Sequence, residues 1–163
     1  MTTHKQLIGD AAWLVDELTL LKSMVREVPF DERPMGQDSV LDLLARIGEA
    51  ANVFFLPLIQ KMTKGNDQPL EWSFRDFDSR MEKSRTQLDD PDVLLDSLIS
   101  SRREVIGLLE ELDSQEFQKT FVFLDGDYDL TALVESMVRY DRKQLKSVAE
   151  RMLSMDIEKL HGG

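Results

Sequence analysis

The chain has 163 residues, of which 31 are acidic and 20 basic, for a net charge of −11. That balance argues against DNA, RNA or an anionic membrane surface as partner, because binding to such surfaces draws much of its affinity from basic side chains. There is no cysteine, which excludes disulfides, thiolate metal sites and a thiol nucleophile.

A hydrophobic fraction of 42% and a charged fraction of 31% are globular values. The length suits a single domain over residues 1–163. No run of eighteen apolar residues occurs, so no membrane span is expected. The opening residues lack an apolar core with a small-residue cleavage site, so the expected compartment is the cytoplasm.

Apolar residues at Leu7, Ile8, Ala11, Leu14, Val15, Leu18, Leu21 and Val25 predict a first helix from about Thr3 to Val28, ended by Pro29. Phe30–Gln37 reads as a loop. A second helix begins at Asp38 or Ser39, with Asp42 as the acid of a capping box. Its stripe is Val40, Leu43, Leu44, Ile47, Ala50, Ala51, Phe54 and Leu58. Pro57 predicts a kink, and Gly65 stops the helix.

Leu70–Leu88 is harder to read. Trp72, Phe74, Phe77 and Met81 suit a segment that closes one end of the core, or an exposed subunit interface. Pro91 starts a third helix, capped by Asp89 or Asp90, that runs to about Asp113 on Leu94, Leu95, Leu98, Val105, Ile106, Leu109 and Leu112. In the link Ser114–Tyr128, the apolar residues Phe121–Leu124 suit an extended segment with no evident strand to pair with.

The last helix spans about Asp129–Met152, with Asp129 as N-cap and a weaker helical run over Leu153–Leu160. Its stripe is Leu130, Leu133, Val134, Met137, Leu145, Val148 and Met152, interrupted by Tyr140, Asp141 and Gln144. Buried polar groups need partners, so these three line a cavity or belong to a polar network. Four long amphipathic segments make the fold class all-α, a four-helix bundle. The long connection between the second and third helices admits an up-up-down-down order.

Two stretches carry a family resemblance. Ser39-Val40-Leu41-Asp42-Leu43-Leu44-Ala45-Arg46 resembles the "W-S-[VI]-x-[DE]-[LV]-L-x-H" opening of the second helix in the DinB-like superfamily. Leu130–Val148 resembles that family's last-helix pattern, with Leu133, Met137 and Asp141 in place. The superfamily includes thiol-dependent transferases of the same bundle fold. The resemblance implies the fold, and in the family a divalent transition metal held by one histidine from helix two and a His-x-x-x-His pair from helix four. Carried over residue by residue, those positions are Arg46, Tyr140 and Gln144. Arg does not ionise to a ligand, and neutral Tyr and Gln are weak donors. The motif's Trp is replaced by Asp38. The expectation is therefore no bound metal and no cofactor.

Three arrangements of Arg46, Tyr140, Asp141 and Gln144 follow. Arg46 pairs locally with Asp42 or Glu49, and the last-helix residues bond one another. Alternatively Arg46 crosses the bundle to pair with Asp141, and Tyr140 adds a hydrogen bond to that pair. Or the four line a pocket for an anion or carboxylate, with Arg46 as anchor. The only histidines, His4 and His161, lie near the ends. Glu158-x-x-His161 has di-iron spacing but occurs once. Asp125–Asp129 resembles half a calcium loop, yet Leu130 and Ser136 stand where Gly and Glu belong, so an acidic turn explains it better.

Three functions are consistent with this reading. The first is a metal-free small-ligand-binding or interaction protein. The second is a metal-dependent thiol transferase with atypical ligands. The third is a structural homodimer module; a homodimer through helix faces is expected in any case, motivated by the aromatic and Met residues of Trp72–Met81.

Overall fold

Thr3 opens the first helix with a reciprocal cap. Its hydroxyl accepts from the Gln6 amide at 3.2 Å, and the Gln6 side chain accepts from the Thr3 amide at 2.9 Å. The computed structural model describes residues 3–63, Ser73, Phe77 and residues 90–161. Helix α1 spans His4–Lys22 and buries Leu7, Ala11, Leu14, Leu18 and Leu21. It ends six residues before the sequence pattern suggests. Ser23 bonds through its hydroxyl to the Leu20 carbonyl, and the chain continues as turns. Val25 and Val28 still pack half-buried on the core, so the apolar period outlasts the helix.

Ser39 caps α2 (Val40–Ala50) in the expected box with Asp42. A π turn, Ala51–Phe55, joins α2 to α3 (Leu56–Thr63) in one rod. The Leu56 amide reaches back five residues to the Ala51 carbonyl. The widened turn lies just ahead of Pro57, which has no amide to donate and would crowd the carbonyl four residues back in a regular helix. The expected kink thus takes the form of a π turn.

Asp90 caps α4 (Pro91–Glu110) by accepting from the amides of Asp92 and Val93. After the short α5 (Ser114–Gln118), strands β1 (Thr120–Phe123) and β2 (Gly126–Asp129) form an antiparallel hairpin. The strand partner missing from the sequence reading is the acidic stretch itself. Phe123 pairs with Gly126 across a two-residue turn, and Gly126 has φ +154, where a side chain would be strained. Asp129 ends β2 and caps α6 (Leu130–His161), accepting from the Ala132 amide at 2.8 Å.

Helices α1 and α2 each pack against both α4 and α6. Lys22 of α1 pairs with Asp96 near the start of α4, and Arg102 further along α4 reaches Ala11, so α1 and α4 are antiparallel. Val40–Ile47 of α2 share a cluster with Leu94–Ile99, and Ala50–Ile59 share one with Val105 and Leu109, so α2–α3 and α4 are parallel. The same two clusters set α6 parallel to α1. The order is up-down-down-up, not the up-up-down-down that the long connection admits. The start of α4 therefore lies at the same end of the bundle as the start of α2.

The core has two parts. One gathers Leu7, Ala11, Phe54, Phe55, Leu58 and Leu109 with the first three turns of α6. The other gathers Leu14, Leu18, Leu44, Ile47, Leu95 and Leu98 with Val148 and Met155. Each fully buried Leu contributes about 1.5–3 kcal/mol of transfer free energy. Phe77 belongs to the first part, 5% exposed and 4.6 Å from Phe54 by ring centroid. At this residue the segment covers the core and is not an exposed interface. Trp72, Phe74 and Met81 lie outside the described residues. Among the described residues no helix is long and apolar enough to cross a membrane.

Candidate functional site

A charged pair sits where the two parts of the core meet. Arg102 of α4 falls between Leu98 and Val105 on the buried face and is 2% exposed. Its guanidinium donates to both carboxylate oxygens of Asp141 on α6, at 2.6 and 3.0 Å, and to the Ala11 carbonyl of α1 at 3.1 Å. One side chain therefore ties three helices together. Burial pushes the Asp141 carboxyl above the ordinary carboxylate range, and the charge and hydrogen bonds of Arg102 work against that shift.

This arrangement corrects the Arg46–Asp141 pairing expected across the bundle. Arg46, 8% exposed, donates instead to Asp38 at 2.8 Å. Nor does it pair with Asp42, whose carboxylate is held by Arg33 through two hydrogen bonds of 2.7 Å and by the Ser39 amide at 2.9 Å. Those contacts, Arg33 foremost, hold the Asp42 carboxyl well below the usual range against the opposing effect of burial. Asp38 also accepts at its backbone carbonyl from Arg151 of α6, 2.9 Å away. The start of α2 is thus fastened to the second half of α6.

Arg46 and Asp38 are the two departures from the helix-two motif, the one standing for His and the other for Trp. The structure joins them in one ion pair, with side chains 10% and 25% exposed. On α6, Tyr140 is 5% exposed, and its ring meets Phe77 edge to face with centroids 5.0 Å apart. Gln144 is 6% exposed one turn further on. Asp141 faces the opposite wall, toward Arg102. The four residues singled out in the sequence are all buried, but they divide among different contacts.

These residues do not fit a divalent transition metal. Arg46 is bonded to Asp38 and a guanidinium has no lone pair to offer a metal, while a phenol and a carboxamide such as Tyr140 and Gln144 are weak ligands. Among the described residues no three His, Cys, Asp or Glu side chains converge as a metal group. The structure also places His4 Nδ1 3.3 Å from the Ser114 hydroxyl, with the imidazole against Phe117. Both lie at the exposed end of the bundle, and a packing contact accounts for them.

Tyr140 contributes to the wall of a cleft of about 360 Å³ between the first half of α6, Tyr128 of β2 and Phe77. Tyr140 is the α6 position of the motif comparison that lines this space, whereas Arg46 contributes nothing to its described lining.

No protein-family model matches the chain, and no curated protein matches it. Among solved structures, YfiT from Bacillus subtilis superposes with a TM-score of 0.67 over 91% of this chain and 87% of its own, at 15% identity. YfiT is described as a probable metal-dependent hydrolase with an unusual four-helix bundle topology. At that identity the likeness establishes the bundle fold. It agrees with the four-helix bundle expected from the amphipathic segments.

Proposed function

We propose that this chain is a metal-free DinB-like bundle that binds a small molecule in the cleft beside Tyr140. The observation that carries the reading is the Arg46–Asp38 pair. A metal site lost by drift would leave its positions filled by unrelated residues. Here both departures from the helix-two motif bear opposite charges and neutralise each other at 2.8 Å. The position that held a ligand now has a structural task, and the cleft beside Tyr140 is open to solvent and solutes.

The competing reading is a metal-dependent transferase or hydrolase with unusual ligands, which the likeness to YfiT favours. Metal analysis separates the two. Protein purified without a metal-affinity tag and equilibrated with zinc or nickel is expected to carry well under one equivalent after desalting. A stoichiometric metal that survives desalting, and that is lost in Tyr140→Phe or Gln144→Ala, refutes the proposal.

A further inference from the structure

The α6 face bearing Tyr140 has a distinct charge pattern. Ser136, Arg139, Tyr140 and Lys143 lie three and four residues apart, so they share one side of the helix and all border the cleft. The cleft's lining is of two kinds. The rings of Phe77 and Tyr140 form an apolar wall, fixed by their edge-to-face contact. Beside them are the cations Arg139 and Lys143, both exposed. Neither forms an ion pair among the described residues.

Exposed cations on a helix are ordinary by themselves. Here the described lining of the cleft holds two of them and no carboxylate, in a chain with 31 acidic residues. By contrast, the cleft between α2 and the second half of α6 is lined by Asp38 and Glu150 as well as Arg151. A volume of about 360 Å³ is at the lower end for small-molecule sites.

We propose that this cleft takes a small amphiphilic carboxylate. Its flat apolar body lies against Phe77 and Tyr140, and its carboxylate lies between Arg139 and Lys143. The guanidinium fork matches two carboxylate oxygens, and the ammonium adds a point charge. Ser136 lines the same space, and its hydroxyl can donate to the anion. The anchoring role assigned from sequence to Arg46 thus passes to Arg139. This inference rests on the ligand-binding reading above and names its ligand class.

Isothermal titration with three probes tests it: 2-naphthoate, the isosteric neutral 2-naphthamide, and inorganic phosphate. The naphthoate should bind at least about tenfold more tightly than the amide, as expected for a charge-assisted anchor. Phosphate, lacking the apolar body, should bind more weakly than naphthoate. In Arg139→Gln/Lys143→Gln the acid's advantage over the amide should vanish while amide binding stays. Both residues are exposed, so the thermal melt of this variant should match the parent. Equal binding of acid and amide, or an advantage unchanged in the variant, overturns the carboxylate assignment and leaves the ligand-binding reading standing. Phosphate as the tightest probe overturns it in favour of a simple anion site. Failure of all three probes to bind overturns both.

Discussion

Replacing Arg102 by Met should cost more stability than any other single charge removal among the ion pairs described. The substitution keeps much of the side-chain volume and removes three hydrogen bonds. It strands the Asp141 carboxylate, 3% exposed, and the Ala11 carbonyl inside the bundle. Removing one member of a buried pair costs about 3–5 kcal/mol. With a urea slope of about 2 kcal/mol/M for a domain of this size, the midpoint should fall by roughly 1.5–2.5 M. The double variant Arg102→Met/Asp141→Leu should recover most of that loss, because no charge is then left unpaired. Arg46→Met provides the internal comparison. Its pair with Asp38 is nearer to solvent, and a loss of about 1 kcal/mol is expected. Urea unfolding followed by circular dichroism reads all four proteins. If Arg102→Met moves the midpoint by no more than Arg46→Met does, the pair is not the buried lock described here.

Two further predictions concern α2. Asp42 is held ionised by Arg33 and Ser39, so its folded pKa lies below its unfolded value near ~3.9. The stability it contributes is then complete above about pH 4 and fades as the pH falls through the lower, folded value. Asp42→Asn should be less stable than the parent by about 1 kcal/mol at pH 7, a cap-sized loss, and the gap should narrow in strong acid; a pH-independent gap would contradict the assignment. At Gly48 an added Cβ would fall 2.6 Å from Leu98 Cδ2, on a buried side chain. Gly48→Ala should therefore destabilise by about 1 kcal/mol despite the better helix propensity of Ala. In a Leu98→Ala background the same change should become stabilising, and a double-mutant cycle in urea shows no coupling if the close approach is absent.

The bundle was legible because its stripes and caps act locally. Ser39, Asp90 and Asp129 all cap the helices they precede, as their side chains and the residues after them dictate. The hairpin was not legible, because β2 carries Gly126, Asp127 and Asp129, none of them a strand former. Its pairing depends on the neighbouring strand and the glycine turn. Arg102 was missed for a different reason. It occupies an apolar position, four residues after Leu98 and three before Val105, but beside Arg103 it reads as part of a basic cluster. The signal was available. Asp141 interrupts the stripe of α6 just as Arg102 interrupts that of α4, and two opposite charges at core positions are natural partners. Arg46 drew the assignment because the family resemblance placed it opposite α6.

That misassignment separates two tasks that the sequence merges. Asp141 lies next to Tyr140 in sequence, but successive residues on a helix point about 100° apart. Tyr140 therefore turns to Phe77 and the cleft, while Asp141 turns to Arg102 at the junction of the two halves of the core. The Arg102–Asp141 pair, with the Arg102 bond to the Ala11 carbonyl, ties α1, α4 and α6 together. The Arg46–Asp38 pair and the Arg151 contact to the Asp38 carbonyl fasten α2 to α6 on the other side. With both sides held by charges committed to structure, the cations in the described lining of the cleft are Arg139 and Lys143, and neither forms an ion pair among the described residues. A carboxylate bound as proposed above would meet its countercharge there.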